Sequence, residues 1–166
     1  MDLRIKRERL FDEDVYTVHP DDYRALCEQL KKDGFDYPRA ISSLDMGYGL
    51  RVVLQLTRMS DLAKVEVRTD VSYDVAAVDS VTDLWPGVEW HEREAYDLMG
   101  ISFRGHPDLR RLLLEEEWDL HPLQKRYDTG GYLIPDWRPA DWPDPAPWQE
   151  PAPSQEDAAP EGGEGE

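Results

Sequence analysis

Two stretches in the first half of the chain alternate between apolar and polar side chains. The first covers residues 50–57 and the second covers residues 64–71, with a short break between them. A period of two places successive side chains on opposite faces of a β-strand. Because the break is short, the pattern predicts an antiparallel hairpin with one buried face and one solvated face.

A strand and a helix are predicted before this hairpin. Residues 15–18 are mostly β-branched or aromatic and predict a short strand. Apolar residues then recur at helical spacing, namely Tyr23, Leu26, Cys27 and Leu30. Asp21 or Asp22 can cap this helix, and Gly34 supplies a left-handed stop. We expect Cys27 to be a buried apolar residue rather than a reactive thiol. Residues 42–49 predict a turn or loop.

A second helical region extends from Asp79 to Gly100. Thr82 can cap it, and Ser80-Val81-Thr82-Asp83 weakly matches a capping box. Pro86 is expected to divide it into a short first helix and a longer second one, which Gly100 ends. One side of the region is lined by Val88, His91, Glu92, Ala95, Leu98 and Met99. Residues 108–118 predict a turn or short helix, and residues 121–135 predict an extended arm.

These elements predict an α+β fold with a small, mostly antiparallel sheet, flanking helices and an extended C-terminal arm. We expect a charged N-terminal segment at residues 1–14, loosely held, and the α+β domain at residues 15–135. Residues 136–166 form an acidic, proline-rich tail with eight acidic residues and no base after Pro139. Such a composition predicts partial disorder or ordering on a partner, with Trp137, Trp142 and Trp148 as apolar contacts.

Charge and cysteine content exclude several classes of function. The chain has 19 basic and 36 acidic residues, a net charge of −17, so nucleic-acid binding is not expected. A single cysteine excludes a disulfide framework and an iron–sulfur cluster held by cysteines alone. Apolar runs fall short of the ~18 residues of a membrane helix. We also find no glycine-rich phosphate loop.

The most informative region is a charged cluster between Trp90 and Tyr127. A helical zinc motif would need a histidine where Ala95 stands, so a metal site is disfavoured. Acid–base catalysis by Glu92, Glu94 or Asp97 with a histidine is a second hypothesis. A third is a structural or interface network, in which Arg93 pairs with Asp97 or neutralises its neighbouring carboxylates. Aromatic residues beside the cluster favour an interface, namely Trp85, Trp90, Tyr96, Phe103 and Trp118.

A family resemblance strengthens the third hypothesis. Residues 92–113 read EREAYDLMGISFRGHPDLRRLL. This stretch resembles the signature of the 30 kDa subunit family of NADH-quinone oxidoreductase, respiratory complex I. Trp118, Pro122, Leu123, Lys125 and Tyr127 resemble its downstream W…P-L-R-K-D-Y motif, from which Gln124 and Arg126 depart. Any ion pair that relatives make at those two positions is therefore in doubt here.

The resemblance implies a cofactor-free subunit with no catalytic, cofactor-binding or metal-binding residue of its own. Flavin mononucleotide (FMN), iron–sulfur clusters, NADH and quinone would belong to other subunits. The partner would chiefly be the hydrogenase-like subunit, in the peripheral arm near the quinone site. The chain would lie on the cytoplasmic side of the membrane and reach it only indirectly. The residues expected to form the structural interface motif are Glu92, Arg93, Glu94, Asp97, Gly100, His106, Pro107, Arg111, Lys125 and Tyr127.

Alternatives remain within the same group of enzymes. A similar signature occurs in membrane-bound hydrogenases, in NDH-like complexes and in deazaflavin-dependent reductases. The resemblance favours a proton-translocating NADH-quinone oxidoreductase.

Overall fold

A computed structural model describes residues 3–11 and 13–125. Seven strands and two α-helices occur in this part of the chain, in the order β1 (Ile5–Leu10), β2 (Glu13–Val18), α1 (Pro20–Lys32), β3 (Tyr37–Asp45), β4 (Leu50–Arg58), β5 (Ala63–Val71), β6 (Ala77–Asp79), α2 (Glu89–Met99) and β7 (Ser102–Arg104). A short 3₁₀ helix, Pro86–Val88, immediately precedes α2. The predictions for the tail, its tryptophans, Arg126 and Tyr127 lie outside the described residues.

Five strands form one sheet in the order β1-β2-β5-β4-β3. Only the β2–β5 pair is parallel, whereas the other three pairs are antiparallel. The predicted hairpin is confirmed as β4 and β5, with Leu54 opposite Val67. Strands β6 and β7 form a separate two-stranded parallel pair. The predicted α+β fold with a mostly antiparallel sheet is therefore confirmed.

The N-terminal segment is not loosely held, contrary to the expectation from its charge. Residues Ile5–Leu10 pair along β2 as an edge strand. Arg7 pairs with Asp14 at 3.0 Å and lies 5.6 Å from the ring centroid of Tyr16. A charged edge strand is a common arrangement, because charged side chains hinder unwanted strand addition.

The first half of the loop predicted at residues 42–49 is a strand. β3 extends from Tyr37 to Asp45 and pairs with β4, so only the turn after Asp45 agrees with the prediction. Two adjacent serines conceal the strand in the sequence, since serine has little β propensity. The register shifts between Pro38 and Ala40, where proline has no N–H to contribute to the ladder.

Helix α1 begins slightly earlier than the acidic cap predicts. The His19 ring accepts a hydrogen bond from the Asp21 N–H at 3.4 Å, and Pro20 occupies the first helical position. Asp21 and Asp22 lie in the first turn, where negative charge favours the helix dipole. The four predicted apolar residues of this helix are all buried, including Cys27. The stop at Gly34 is confirmed by its φ of +88°.

Helix α2 and the residues after it complete one core with the sheet. Ala95 and Met99 of α2 join Trp85, Ile101 and Phe103 in the same cluster as β4 and β5. The capping box predicted at residues 80–83 is wrong, because α2 begins at Glu89. Gly100 ends α2 as predicted, with φ of +72°. Residues 108–118 contain turns but no helix.

Candidate functional site: the helix–arm joint

The charged signature holds α2 against the irregular segment that follows β7. We call this segment, residues 105–125, the arm; it includes the first residues of the extended arm predicted at residues 121–135. We call the contacts that fasten it to α2 the helix–arm joint, formed chiefly by Arg93, Asp97, Gly100 and Arg111. Trp85 and Phe103, expected beside an interface, are instead core residues with 1% and 2% exposure. Trp90 and Trp118 remain 64% and 41% exposed.

Asp97 lies at the centre of the joint. Its Oδ2 accepts hydrogen bonds from the backbone N–H groups of Leu112, Leu113 and Leu114 at 2.9, 2.6 and 2.9 Å. Its Oδ1 accepts one from Arg111 at 2.7 Å. The side chain is fully buried. Burial pushes the pKa of Asp97 upward, but these donors outweigh burial, so its pKa falls from 3.8 to about 2. The joint therefore holds an ionised carboxylate at neutral pH.

Arg111 extends the joint to a later part of the arm. It donates to the Asp97 carbonyl at 3.3 Å, to the Trp118 carbonyl and to the Leu120 carbonyl at 3.4 Å. Its side chain is only 12% exposed. A guanidinium group has five N–H donors in a fixed plane, so it can satisfy several carbonyls of an irregular segment at once. Arg111 thus holds the arm in shape where regular secondary structure is lacking.

Arg93 does not pair with Asp97, contrary to the sequence prediction. Its guanidinium donates to the carbonyls of Arg110 and Arg111 at 3.3 and 3.1 Å. The four-residue spacing allows an ion pair, but Asp97 is already occupied by the arm. Arg93 does not neutralise its neighbours either, because it forms no ion pair with Glu92 or Glu94 in the described structure. Arg93 is a further fastening of the arm to α2.

Glu92 points the other way, into the core beneath the segment that precedes α2. It is fully buried and accepts hydrogen bonds from the Ser80 hydroxyl at 2.6 Å and the Val81 N–H at 2.9 Å. Burial raises the pKa of Glu92 from 4.5 to about 7, although both hydrogen bonds oppose the rise. Thr82, predicted as a helix cap, instead has its hydroxyl 2.9 Å from that of Ser80. Glu92 anchors α2 to the core.

The end of α2 is fastened by the last described residues. The His121 ring contacts the Asp97 carbonyl at 2.9 Å, and the buried amide of Gln124 donates to the Met99 carbonyl. Gln124 departs from the family pattern, but it makes this neutral contact. A Cβ on Gly100 would lie 2.6 Å from the His121 ring, so the close approach requires glycine.

The remaining predicted residues lie around the joint rather than within it. The His106 ring, followed by Pro107, is 3.3 Å from the Glu89 carbonyl at the start of α2. Lys125 contributes its backbone N–H, which donates to Asp45 at 2.7 Å. Glu94 is exposed, and it has no polar partner in the described part of the chain. Sequence reasoning missed Asp45 and assigned Ser80 to a capping box, because no local pattern reveals the distant partner of either residue.

The polar contacts of this arrangement join one part of the chain to another. The polar groups of the joint are engaged in bonds within the chain, and Glu92 lies in the core away from a cleft. Residues 3–11 and 13–125 contain no group of three histidine, cysteine, aspartate or glutamate side chains placed to hold a metal ion. These contacts order the arm against α2.

A comparison with protein families matches residues 16–133 to the 30 kDa subunit of respiratory-chain NADH dehydrogenase. The chain belongs to this family. The resemblance stated from the signature is thereby confirmed.

Curated relatives of this 30 kDa family member have related names. A NADH-quinone oxidoreductase subunit of Salinispora arenicola is 34% identical, over 81% of this chain and 58% of the relative. The subunit of the same name from Bartonella bacilliformis is 43% identical, over 72% and 56%. A NAD(P)H-quinone oxidoreductase subunit of Prochlorococcus marinus is 35% identical, over 69% and 71%. This chain therefore spans a little over half the length of the first two relatives.

Solved structures share the fold of this 30 kDa family member. The trypsin-resistant fragment of Nqo5 is 29% identical and gives a TM-score of 0.59, over 63% of this chain and 89% of the fragment. A chain of the membrane-bound sulfane sulfur reductase, an archaeal respiratory membrane complex, gives 0.71 over 86% of this chain and 88% of that chain. Its 23% identity shows a common fold alone. The described helices include none long and apolar enough to cross a membrane.

Proposed function

We propose that this chain is a cofactor-free structural subunit in the peripheral arm of a proton-translocating NADH-quinone oxidoreductase. In this role it packs against the hydrogenase-like subunit near the quinone site. FMN, iron–sulfur clusters, NADH and quinone are handled by other subunits. The chain lies on the cytoplasmic side of the membrane and contacts the membrane only through its partners. The family match and the names of its relatives support this assignment.

One observation carries the structural role: the four hydrogen bonds that Asp97 accepts from the arm. An irregular segment loses much conformational entropy when it docks on a partner, unless it is already ordered. The joint removes that cost in advance, because Asp97, Arg111 and Arg93 hold the arm before a partner arrives. Leu113 and Leu123 are 63% and 58% exposed on the arm and supply apolar contact area.

The proposed interface motif keeps the residues of the sequence analysis, with roles refined by the contacts. Asp97, Arg93, Arg111 and Gly100 shape the joint, and Glu92 anchors α2. Glu94 and Lys125 are exposed and are proposed to face a partner, and Tyr127, the last residue of the motif, lies outside the described residues. His106 and Pro107 set the start of the arm. In this proposal no electron or proton passes through these groups.

The test separates assembly from turnover. The complex is purified through a tag on this chain, its subunits are identified, and NADH-dependent quinone reduction is measured per assembled complex. We expect the hydrogenase-like subunit to copurify, and Asp97→Asn to lower the yield of complex more than its specific activity. Glu117→Gln, an exposed change on the arm, is the control and should affect neither. Normal assembly with lost turnover would contradict the structural role.

An NDH-like complex is a second candidate. This chain matches 71% of the Prochlorococcus relative, compared with 58% of the Salinispora relative. Electron-donor specificity of the purified complex distinguishes the two candidates. Quinone reduction with NADH supports the first, whereas inactivity with NADH and activity with another donor supports the second.

A further inference from the structure

A hollow of about 370 Å³ lies between the edge strand β3 and helix α2. One wall is formed by residues 40–43 of β3. The other wall carries His91, Glu94 and Leu98 of α2, with Leu123 of the arm at its rim. The hollow therefore combines a sheet edge, a carboxylate and an apolar surface. We call it the β3–α2 groove.

The strand wall of the groove has backbone groups that the sheet does not use. Ile41 donates its N–H to His91 Nδ1 at 2.9 Å, so the backbone of Ile41 points away from β4. Register is continuous from Ala40 to Asp45, and alternate residues of an antiparallel strand point the same way. The backbone N–H and C=O of Ser43 therefore also point away from β4, toward the groove. These are the groups that an added strand binds.

The helix wall adds directional polar groups. Because His91 Nδ1 accepts from Ile41, the neutral ring carries its proton on Nε2. That N–H has no partner among the described residues, and the His91 side chain lines the groove. Glu94 is an exposed carboxylate that likewise has no partner in the described structure. Glu94 is thus available to a cationic side chain, and His91 lines the same groove.

We propose that the β3–α2 groove receives an extended segment of a neighbouring polypeptide that carries a lysine or arginine side chain. The segment adds at Ser43 to the edge of β3 that the described residues leave unpaired, places its basic side chain on Glu94 and packs an apolar side chain on Leu98 and Leu123. Charge complementarity favours a different polypeptide over a second copy, since this chain has a net charge of −17. The inference rests on the proposed function, because it assumes an assembled complex.

The experiment places a photo-crosslinking amino acid at Leu123 in the tagged full-length chain and identifies crosslinked peptides by mass spectrometry in the purified complex. We expect a peptide of another subunit, with a basic residue at or beside the crosslinked position. Glu94→Lys should reduce the crosslink about tenfold, as loss of a charge-assisted contact predicts. Glu117→Lys, the same charge reversal on the exposed arm, is the matched control and should leave the crosslink intact.

A second variant tests the strand edge. Ser43→Pro removes an N–H that faces the groove, whereas Ser42→Pro removes one that faces β4. We expect Ser43→Pro to keep the melting temperature within a few degrees while reducing the crosslink, and Ser42→Pro to lower the melting temperature clearly. If Ser43→Pro also unfolds the chain, Glu94→Lys still decides the proposal.

The outcomes distinguish this inference from the proposed function. Crosslinks only within this chain or to a second copy of it would overturn the inference, as would equal effects of Glu94→Lys and Glu117→Lys. If the expected subunits copurify but nothing crosslinks at Leu123, the inference fails while the proposed function stands. If no complex copurifies at all, the proposed function fails first.

Discussion

Ionised Glu92 is predicted to destabilise the folded chain above neutral pH. Comparing the stability of the Glu92→Gln variant with that of the wild-type chain tests this prediction. The glutamine keeps an oxygen to accept from the Val81 N–H, and its NH₂ group can donate to the Ser80 hydroxyl. It removes the buried negative charge, which has no direct cationic partner in the described structure. Arg24, whose positive charge lowers the pKa of Glu92, is engaged by Asp83 at 2.5 Å.

The magnitude follows from the pKa of Glu92, which burial raises from 4.5 to about 7. Below pH 4.5 the carboxyl is protonated in both the folded and the unfolded chain, so it imposes no penalty. Between pH 4.5 and 7 the folded chain holds a proton that the unfolded chain has released, so stability falls as pH rises. Above pH 7 both forms are ionised, and the full penalty is about 3 kcal/mol.

The assay is urea unfolding of the wild-type chain and the Glu92→Gln variant at pH 5, 6, 7 and 8. We expect similar stability at pH 5 and a variant that is more stable by about 3 kcal/mol at pH 8. Taking the difference removes titrating groups that the two proteins share. Glu94→Gln, an exposed change on the same helix, should show no such pH-dependent difference. A variant that is less stable by the same amount at every pH would refute the reasoning, since Glu92 would then have the same pKa in the folded and the unfolded chain.

Three further predictions concern the joint. The pKa of Asp97 is lowered to about 2, so its stabilising contribution of about 2 kcal/mol should be lost as pH falls from 4 to 2. In unfolding titrations, Asp97→Asn should abolish that part of the acid sensitivity. Gly100→Ala should lower the melting temperature more than Gly47→Ala. Both glycines have positive φ, but only a Cβ at position 100 would meet His121. Equal losses of melting temperature would contradict a steric origin. Arg93→Ala should destabilise the chain by about 1–3 kcal/mol and speed trypsin cleavage in the arm, and Arg93→Lys should have intermediate effects. An unchanged rate of cleavage would show that Arg93 does not order the arm.

Much of the fold follows from local patterns in the sequence. The apolar spacing of α1 and the alternation of β4 and β5 reflect burial of one face, so they could be predicted without knowing the partner elements. Edge strands β1 and β3 could not be predicted in this way. Charged or serine-rich segments become strands because a neighbour supplies a complete ladder of hydrogen bonds, a tertiary effect that outweighs weak propensity.

The candidate site could likewise be predicted only in part from the sequence. The signature identified α2, the Gly100 stop and the membership of the family. It also indicated Arg93 and Asp97 as a pair, because an i,i+4 spacing permits one. The structure separates them, since each has better partners on the arm. Local spacing limits which contacts are possible, but it does not choose among competing partners.

By itself the sequence determined the α+β class, the principal helices, the central hairpin and the family, because these depend on periodicity and on a dense local motif. Tertiary structure alone decided that Asp97 binds Arg111, that Glu92 binds Ser80 and that His91 binds Ile41. The physical reason is the separation of the interacting residues along the chain. Periodicity indicates which face of a helix or strand is buried, whereas a hydrogen bond between residues distant in sequence depends on where the whole fold places both groups.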